Sequence, residues 1–228
     1  MGVFLSVMAG LAVGQAWAGP LFLTITITDG LGTSQQQFND GGTGIISLPA
    51  TTIEGVSITG EFAQQIVDGT NVLISSATTI TNNSGSVATT SAVVSGGGYV
   101  GPNSVVSLSG SGTWLHTAGS TITQTWYNDP TNVIGANPTN TPGNLVGTFT
   151  DTAVGLTSSF AFSPPDTLLA VPDMGLFSMT EAWNYTLAVG GSLTSRGQDE
   201  VTTVPEPFSL AVLGFGLIAL GAVRSRHG

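Results

Sequence analysis

Apolar and hydroxyl side chains alternate without a break over residues 23–28, with Leu23, Ile25 and Ile27 on one side and Thr24, Thr26 and Thr28 on the other. A period of two is the signature of a strand with one buried face and one wet face. Asp29-Gly30 follows as a turn signal. The same β-rich texture recurs at residues 44–48, 52–59, 72–81, 86–95, 104–116, 120–127, 145–150, 156–162 and 176–188. Turn clusters separate these segments: Asp40-Gly41-Gly42, Asp68-Gly69, Asn82-Asn83-Ser84-Gly85 and Gly96-Gly97-Gly98. No long amphipathic helix interrupts them. Roughly ten short strands with regular turns predict an all-β body, an antiparallel β-sandwich or jelly roll. Residues 19–203 are ample for one such core and few for two. Tight turns make sequential antiparallel pairing the expectation, with Phe160, Phe162, Phe177 and Trp183 inside. Residues 128–144 and the stretches Pro164-Pro165-Asp166 and Pro172-Asp173 read as loops. Residues 192–203 read as a flexible lead out of the body.

Charge narrows the partners. The chain has 3 Lys+Arg against 13 Asp+Glu, and two of the three cations are Arg224 and Arg226. A body left with Arg196 alone repels nucleic acid, whose recognition rests on cationic contacts to phosphate. The acids are spread singly, as a solubilising surface is. Charged residues make up only 7% of the chain, which excludes charge-driven disorder. Ser, Thr, Asn and Gln carry the polar face instead. Cysteine is absent, so no disulfide staples the body and no thiolate serves as nucleophile or metal ligand.

The ends address the chain. Residues 3–13 have the length of a signal-peptide apolar region, and Ala16-Trp17-Ala18 fits a small-x-small cleavage pattern with Ala16 and Ala18 as its small residues. No Lys or Arg precedes that run. At the other end, Val204-Pro205-Glu206-Pro207 leads into an uncharged run over residues 208–223, followed by Arg224 and Arg226. As a helix the run spans about 24 Å, somewhat short of the ~30 Å hydrocarbon core. The mismatch is absorbed at modest cost. Arg224 and Arg226 form a membrane stop on the cytoplasmic side, which leaves the body outside.

The motif Val204, Pro205, Glu206 and Pro207, the short Gly-bearing helix and the terminal Arg pair together resemble the PEP-CTERM sorting signal of exported proteins from exopolysaccharide-making bacteria. The resemblance covers about a tenth of the chain. It implies handling by an exosortase, a membrane cysteine transpeptidase that reads the tail. The organisation expected is a signal peptide over 1–18, an extracellular domain over 19–203 and a sorting signal over 204–228 with its transmembrane helix at 208–223. The protein is then single-pass before processing, and at the cell surface or in the matrix afterwards.

The body offers little chemistry. His116 is its only histidine, and a triad needs it beside an activated Ser and an Asp. Gly110-Ser111-Gly112 does not have the spacing of a nucleophile elbow. No spacing selects a pair of carboxylates for glycoside hydrolysis. The acids show no Asp-x-Asp-x-Asp-Gly run for calcium. Trp114, Trp126 and Tyr127 sit near an expected hairpin, where they pack a core or stack on sugar rings. The rows Thr24-x-Thr26-x-Thr28 and Thr121-x-Thr123-x-Thr125 are plain solvent faces of favoured strand residues. An ice-binding face needs several such rows in register, and two isolated rows do not make one. The expectation is a non-enzymatic structural or adhesive component of the exopolysaccharide layer, without cofactor, metal or catalytic residue. A module binding carbohydrate or another surface ligand is the alternative, and a secreted hydrolase ranks third.

Overall fold

The computed structural model describes residues 19–28, 32–67, 69–116, 118–135 and 141–202. They form thirteen strands: β1 (Leu21–Thr28), β2 (Thr33–Asn39), β3 (Ile45–Ile53), β4 (Val56–Val67), β5 (Thr70–Asn82), β6 (Ala88–Val100), β7 (Asn103–Leu115), β8 (Thr121–Asp129), β9 (Asn144–Thr152), β10 (Thr157–Phe162), β11 (Thr167–Asp173), β12 (Leu176–Leu187) and β13 (Ser192–Thr202). One sheet has the order β2-β1-β6-β12-β8-β9, and the other β10-β7-β13-β5-β4-β3, with β11 also paired to β7. Every pairing is antiparallel. The body is therefore the two-sheet sandwich that the alternation predicts.

The period of two sets the core. Leu21, Leu23, Ile25 and Ile27 on β1 are fully buried, as are Leu73 on β5 and Leu193 and Val201 on β13. Burying a side chain of this size stabilises the fold by about 1.5–3 kcal/mol. Phe62 of β4 meets Trp183 of β12 edge-on across the sandwich at 5.8 Å. The open edge between β9 and β10 is closed by aromatic rings, with Phe149 stacked on Phe162 at 4.2 Å and tilted against Phe160 at 5.3 Å. Gly110 and Gly112 of β7 make room for this cluster, since a Cβ at either would strike the ring of Phe162 or Phe160. Phe160, Phe177 and Trp183 are buried and Phe162 packs half-buried against the core, as expected.

Several expectations are corrected. Residues 192–202 are no flexible lead: they form β13, hydrogen-bonded to β5 on one side and β7 on the other. Its inward positions are Leu193, Ser195, Gly197, Asp199 and Val201, so three polar or small residues hide the alternation. Pro164-Pro165-Asp166 lies outside any strand as expected, but Pro172-Asp173 belongs to β11 rather than to a loop. Residues 52–59 are not one strand, because Glu54 and Gly55 turn the chain at φ of 47° and 75°. The polar strand β2 shows no apolar alternation at all. Sequential pairing holds for β1–β2, β3–β4, β4–β5 and β8–β9 only. β7 and β8 lie in different sheets, so Trp114 and Trp126 do not share a hairpin.

The expected loop over 128–144 starts after β8, which runs to Asp129. The Asp129 carboxylate accepts from Thr131 N at 2.9 Å, Thr131 Oγ1 at 2.7 Å and Val133 N at 3.2 Å. The segment then straps across the outer face of the first sheet. Gly98 N donates to Asn132 Oδ1 at 2.8 Å, and Gly135 N donates to Ser95 Oγ at 3.0 Å. Among the described residues no helix is long and apolar enough to cross a membrane.

Candidate functional site

The solvent face of the first sheet is built by register. On β1 the outward residues are Phe22, Thr24, Thr26 and Thr28, because the inward ones are the buried leucines and isoleucines. Thr28 lies opposite Thr33 of β2 and Thr89 of β6. Thr89 lies opposite Thr186 of β12, which lies opposite Thr121 of β8. Thr121 in turn lies opposite Thr152 of β9. One threonine from each of the six strands thus forms a single row across the sheet. The next row reads Gln35, Thr26, Ser91, Asn184, Thr123 and Thr150. At ~4.8 Å between strands each row is about 24 Å long.

These two rows hold no charged and no apolar side chain, and every member is exposed or half-buried. Neighbours are tied to each other: Thr28 and Thr33 hydroxyls lie 3.1 Å apart, and Thr123 and Thr150 hydroxyls 3.2 Å apart. Gln35 Nε2 donates to Thr26 Oγ1 at 3.2 Å. Threonine is β-branched and stiff at χ1, so such hydroxyls are fixed before any ligand arrives. Each can both donate and accept. Further along the same face Val93, Ser95 and Thr180 are buried, and the strap meets it where Gly135 N donates to Ser95 Oγ.

The outer face of the second sheet differs. It also carries hydroxyls, with Thr79 and Thr194 hydroxyls 2.9 Å apart. It adds the charges of Glu61, Arg196 and Glu200, whose register places them outward.

A third polar group lies inside. Asp173, Glu181 and Asp199 are fully buried between the sheets. Glu181 Oε1 accepts from Gln124 Nε2, and Asp173 Oδ2 accepts from Asn128 Nδ2 at 3.0 Å. Neither oxygen of Asp199 has a partner, nor has Oε2 of Glu181. Burial pushes Asp199 up to about 8, with the Asp173 and Glu200 charges adding to it. Burial likewise pushes Asp173 up to about 6 and raises Glu181 well above the usual carboxylate range. At neutral pH Glu181 and Asp199 are held as neutral acids, whereas Asp173 is ionised. All three are sealed from solvent, so no substrate reaches them, and they make no open acid–base pair. Among the described residues no three His, Cys, Asp or Glu are placed to hold a metal ion.

The tail and leader residues named from the sequence, Ala16, Ala18, Val204, Pro205, Glu206, Pro207, Arg224 and Arg226, lie outside the described residues. His116 sits just past β7 in a turn with φ of 55°, exposed, its N–H donating to Leu156 O at 2.6 Å. Trp114 and Trp126 are buried core residues, and Trp114 Nε1 donates to Asp151 Oδ2 at 2.7 Å. Neither can stack on a sugar. The two threonine rows read from the sequence along β1 and β8 are brought onto one face, with β6 and β12 between them. What the sequence missed is the set that joins them: Thr33, Thr89, Thr186 and Thr152.

No protein family model matches this chain, and no curated protein does. Among solved structures it is similar to several carbohydrate-binding modules. TmCBM61, solved with β-1,4-galactotriose, is 12% identical over 64% of this chain and 86% of its own, with a TM-score of 0.30. CBM28, a module specific for non-crystalline cellulose, is 14% identical over 71% and 86%, with a TM-score of 0.28. The family 11 module from Clostridium thermocellum, solved with a β-1,3-1,4-mixed-linked tetrasaccharide, is 9% identical over 80% and 98%, with a TM-score of 0.27. What those modules bind is a property of those modules.

Proposed function

We propose that this chain is an exported, surface-held protein whose sandwich binds neutral polysaccharide of the surrounding matrix, without catalysis, through the threonine rows of the first sheet. The row of six threonines carries the reading. A neutral glycan offers hydroxyls at a regular repeat, and this face offers fixed hydroxyls at a regular repeat with no charge to desolvate. Sheets of this kind turn by ~20–25° from strand to strand. A flexible polymer can follow such a surface, whereas a flat crystal lattice cannot, which favours a glycan over ice. With Trp114, Trp126 and Trp183 all buried, hydrogen bonds rather than tryptophan stacking supply the affinity. Each is worth about 0.5–1.5 kcal/mol net.

Changing Thr28, Thr89, Thr186 and Thr121 together to Val tests this, because valine keeps the shape and strand preference but not the hydroxyl. Binding to neutral polysaccharide, measured by affinity electrophoresis, should weaken at least tenfold with the circular dichroism spectrum unchanged. Undiminished retention in the gel would place the ligand elsewhere.

The tail completes the reading: Val204-Pro205-Glu206-Pro207 with the apolar run and Arg224 and Arg226 hands the protein to an exosortase. Replacing Pro205 and Glu206 by Ala should leave an unprocessed, membrane-retained form. Mass spectrometry finding the same C-terminus in variant and parent would count against sorting.

A further inference from the structure

Arg196 is the only Lys or Arg before residue 224 in a chain of net charge −10. It stands exposed on the outer face of β13, at the centre of the second sheet. Among the described residues no carboxylate is paired with it. Its one polar contact is Nε donating to Ser111 Oγ of β7 at 2.9 Å. That bond orients the guanidinium and leaves its terminal nitrogens free.

Grooves open on both sides of Arg196, of about 550 Å³ and 430 Å³, and both are lined by Ser76, Ser111 and Arg196 itself. The larger adds Thr113, Ser159 and Thr194. Its shape traces to β5. Opposite Arg196 the register steps by two residues on β13 and by three on β5, so β5 bulges around Ala77. The same shift is seen against β4. Ala77 has a φ of 44°, a left-handed conformation that costs a non-glycine residue about 1 kcal/mol or more. A bulge in an interior strand re-aims side chains and recurs beside binding sites.

We propose that this groove is a second, separate site, which takes a sugar residue bearing a single carboxylate. Arg196 holds the carboxylate through its planar fork, a match that a lysine point charge lacks. Ser111, Thr113, Ser159 and Thr194 face the ring hydroxyls. Glu61 and Glu200 share this face, and Asp166 is tied to Ser107 of β7 at 2.6 Å. These acids repel a doubly charged phosphate more than a singly charged carboxylate, so a uronic acid is the class that fits. The site does not depend on the threonine rows.

The test is calorimetry on the full-length chain with the monosaccharide methyl galacturonoside, with its neutral methyl ester, and with a phosphorylated hexose. The acid should bind at least tenfold more tightly than the ester, and the preference should shrink as salt rises. Arg196→Gln should abolish the preference, and Arg196→Lys should restore only part of it. Binding of neutral polysaccharide through the first sheet should be the same in both variants. Equal affinity for acid and ester, or a preference that survives Arg196→Gln, would overturn the proposal. Tighter binding of the phosphorylated hexose would overturn the choice of carboxylate.

Discussion

The protein is expected to be most stable in mild acid and to lose stability steadily as pH rises towards 8. Burial moves Asp199 from 3.8 in the reference state to about 8 in the fold. Between those values the unfolded chain releases a proton that the folded chain keeps. Each pH unit in that window therefore costs the fold about 1.4 kcal/mol. Below the window both states hold the proton and the cost is absent; above it both have lost the proton and the cost is complete. Asp173, raised to about 6, steepens the lower part of the slope, and Glu181 acts in the same direction. Self-repulsion of a chain this acidic works the same way. Asp199→Asn separates the causes. The variant should unfold much like the parent at pH 4 and be more stable by several kcal/mol at pH 8, on the order set by that slope. Urea denaturation at pH 4, 6 and 8 reads this directly. A parent whose midpoint is flat or rises over that range would show that these carboxyls are not held neutral.

A chain ended at Gly191 is expected not to fold at all. The cut removes Leu193 and Val201 from the core and strips the shared partner from β5 and β7. Two apolar side chains and two ladders of hydrogen bonds exceed the ~5–15 kcal/mol that holds a domain together. A chain ended after Thr202 should keep the cooperative transition. Near-ultraviolet circular dichroism and a thermal scan distinguish the two. A cooperative transition at the parent midpoint in the shorter chain would mean that β13 is dispensable.

That same strand shows where the sequence stops being legible. Strands with apolar inward positions, such as β1, announce themselves. β13 turns Ser195, Gly197 and Asp199 inward, and a pattern reader takes these for linker. The reason lies in the opposite sheet: a Cβ at Gly197 would strike Glu181 and Gln124, which reach across the core. β2 is hidden for another reason, since an edge strand of Thr, Ser and Gln has almost no core to face. The candidate site was half visible. Thr24–Thr28 and Thr121–Thr125 can be read along their own strands, but Thr33, Thr89 and Thr186 stand in no threonine row of their own strands. Only cross-strand register puts them in one row, and register is a product of tertiary pairing. The hairpin expected around Trp114 and Trp126 fails for the same reason, since β7 and β8 part to different sheets, although both rings pack in the core.

The position of β13 also decides how the body bears force. A load on any segment beyond Thr202 enters the fold along a strand flanked on both sides, and β1 at the other end is likewise flanked, by β2 and β6. Antiparallel ladder bonds lie across the strand axis. Tension along β13 therefore strains its bonds to β5 and β7 together, in shear, whereas an edge strand pulled outward would peel bond by bond. Resistance to forced unfolding is set by the unfolding rate rather than by equilibrium stability. Under the proposed tethering through the tail, a body of marginal equilibrium stability would in this way outlast drag on a bound ligand.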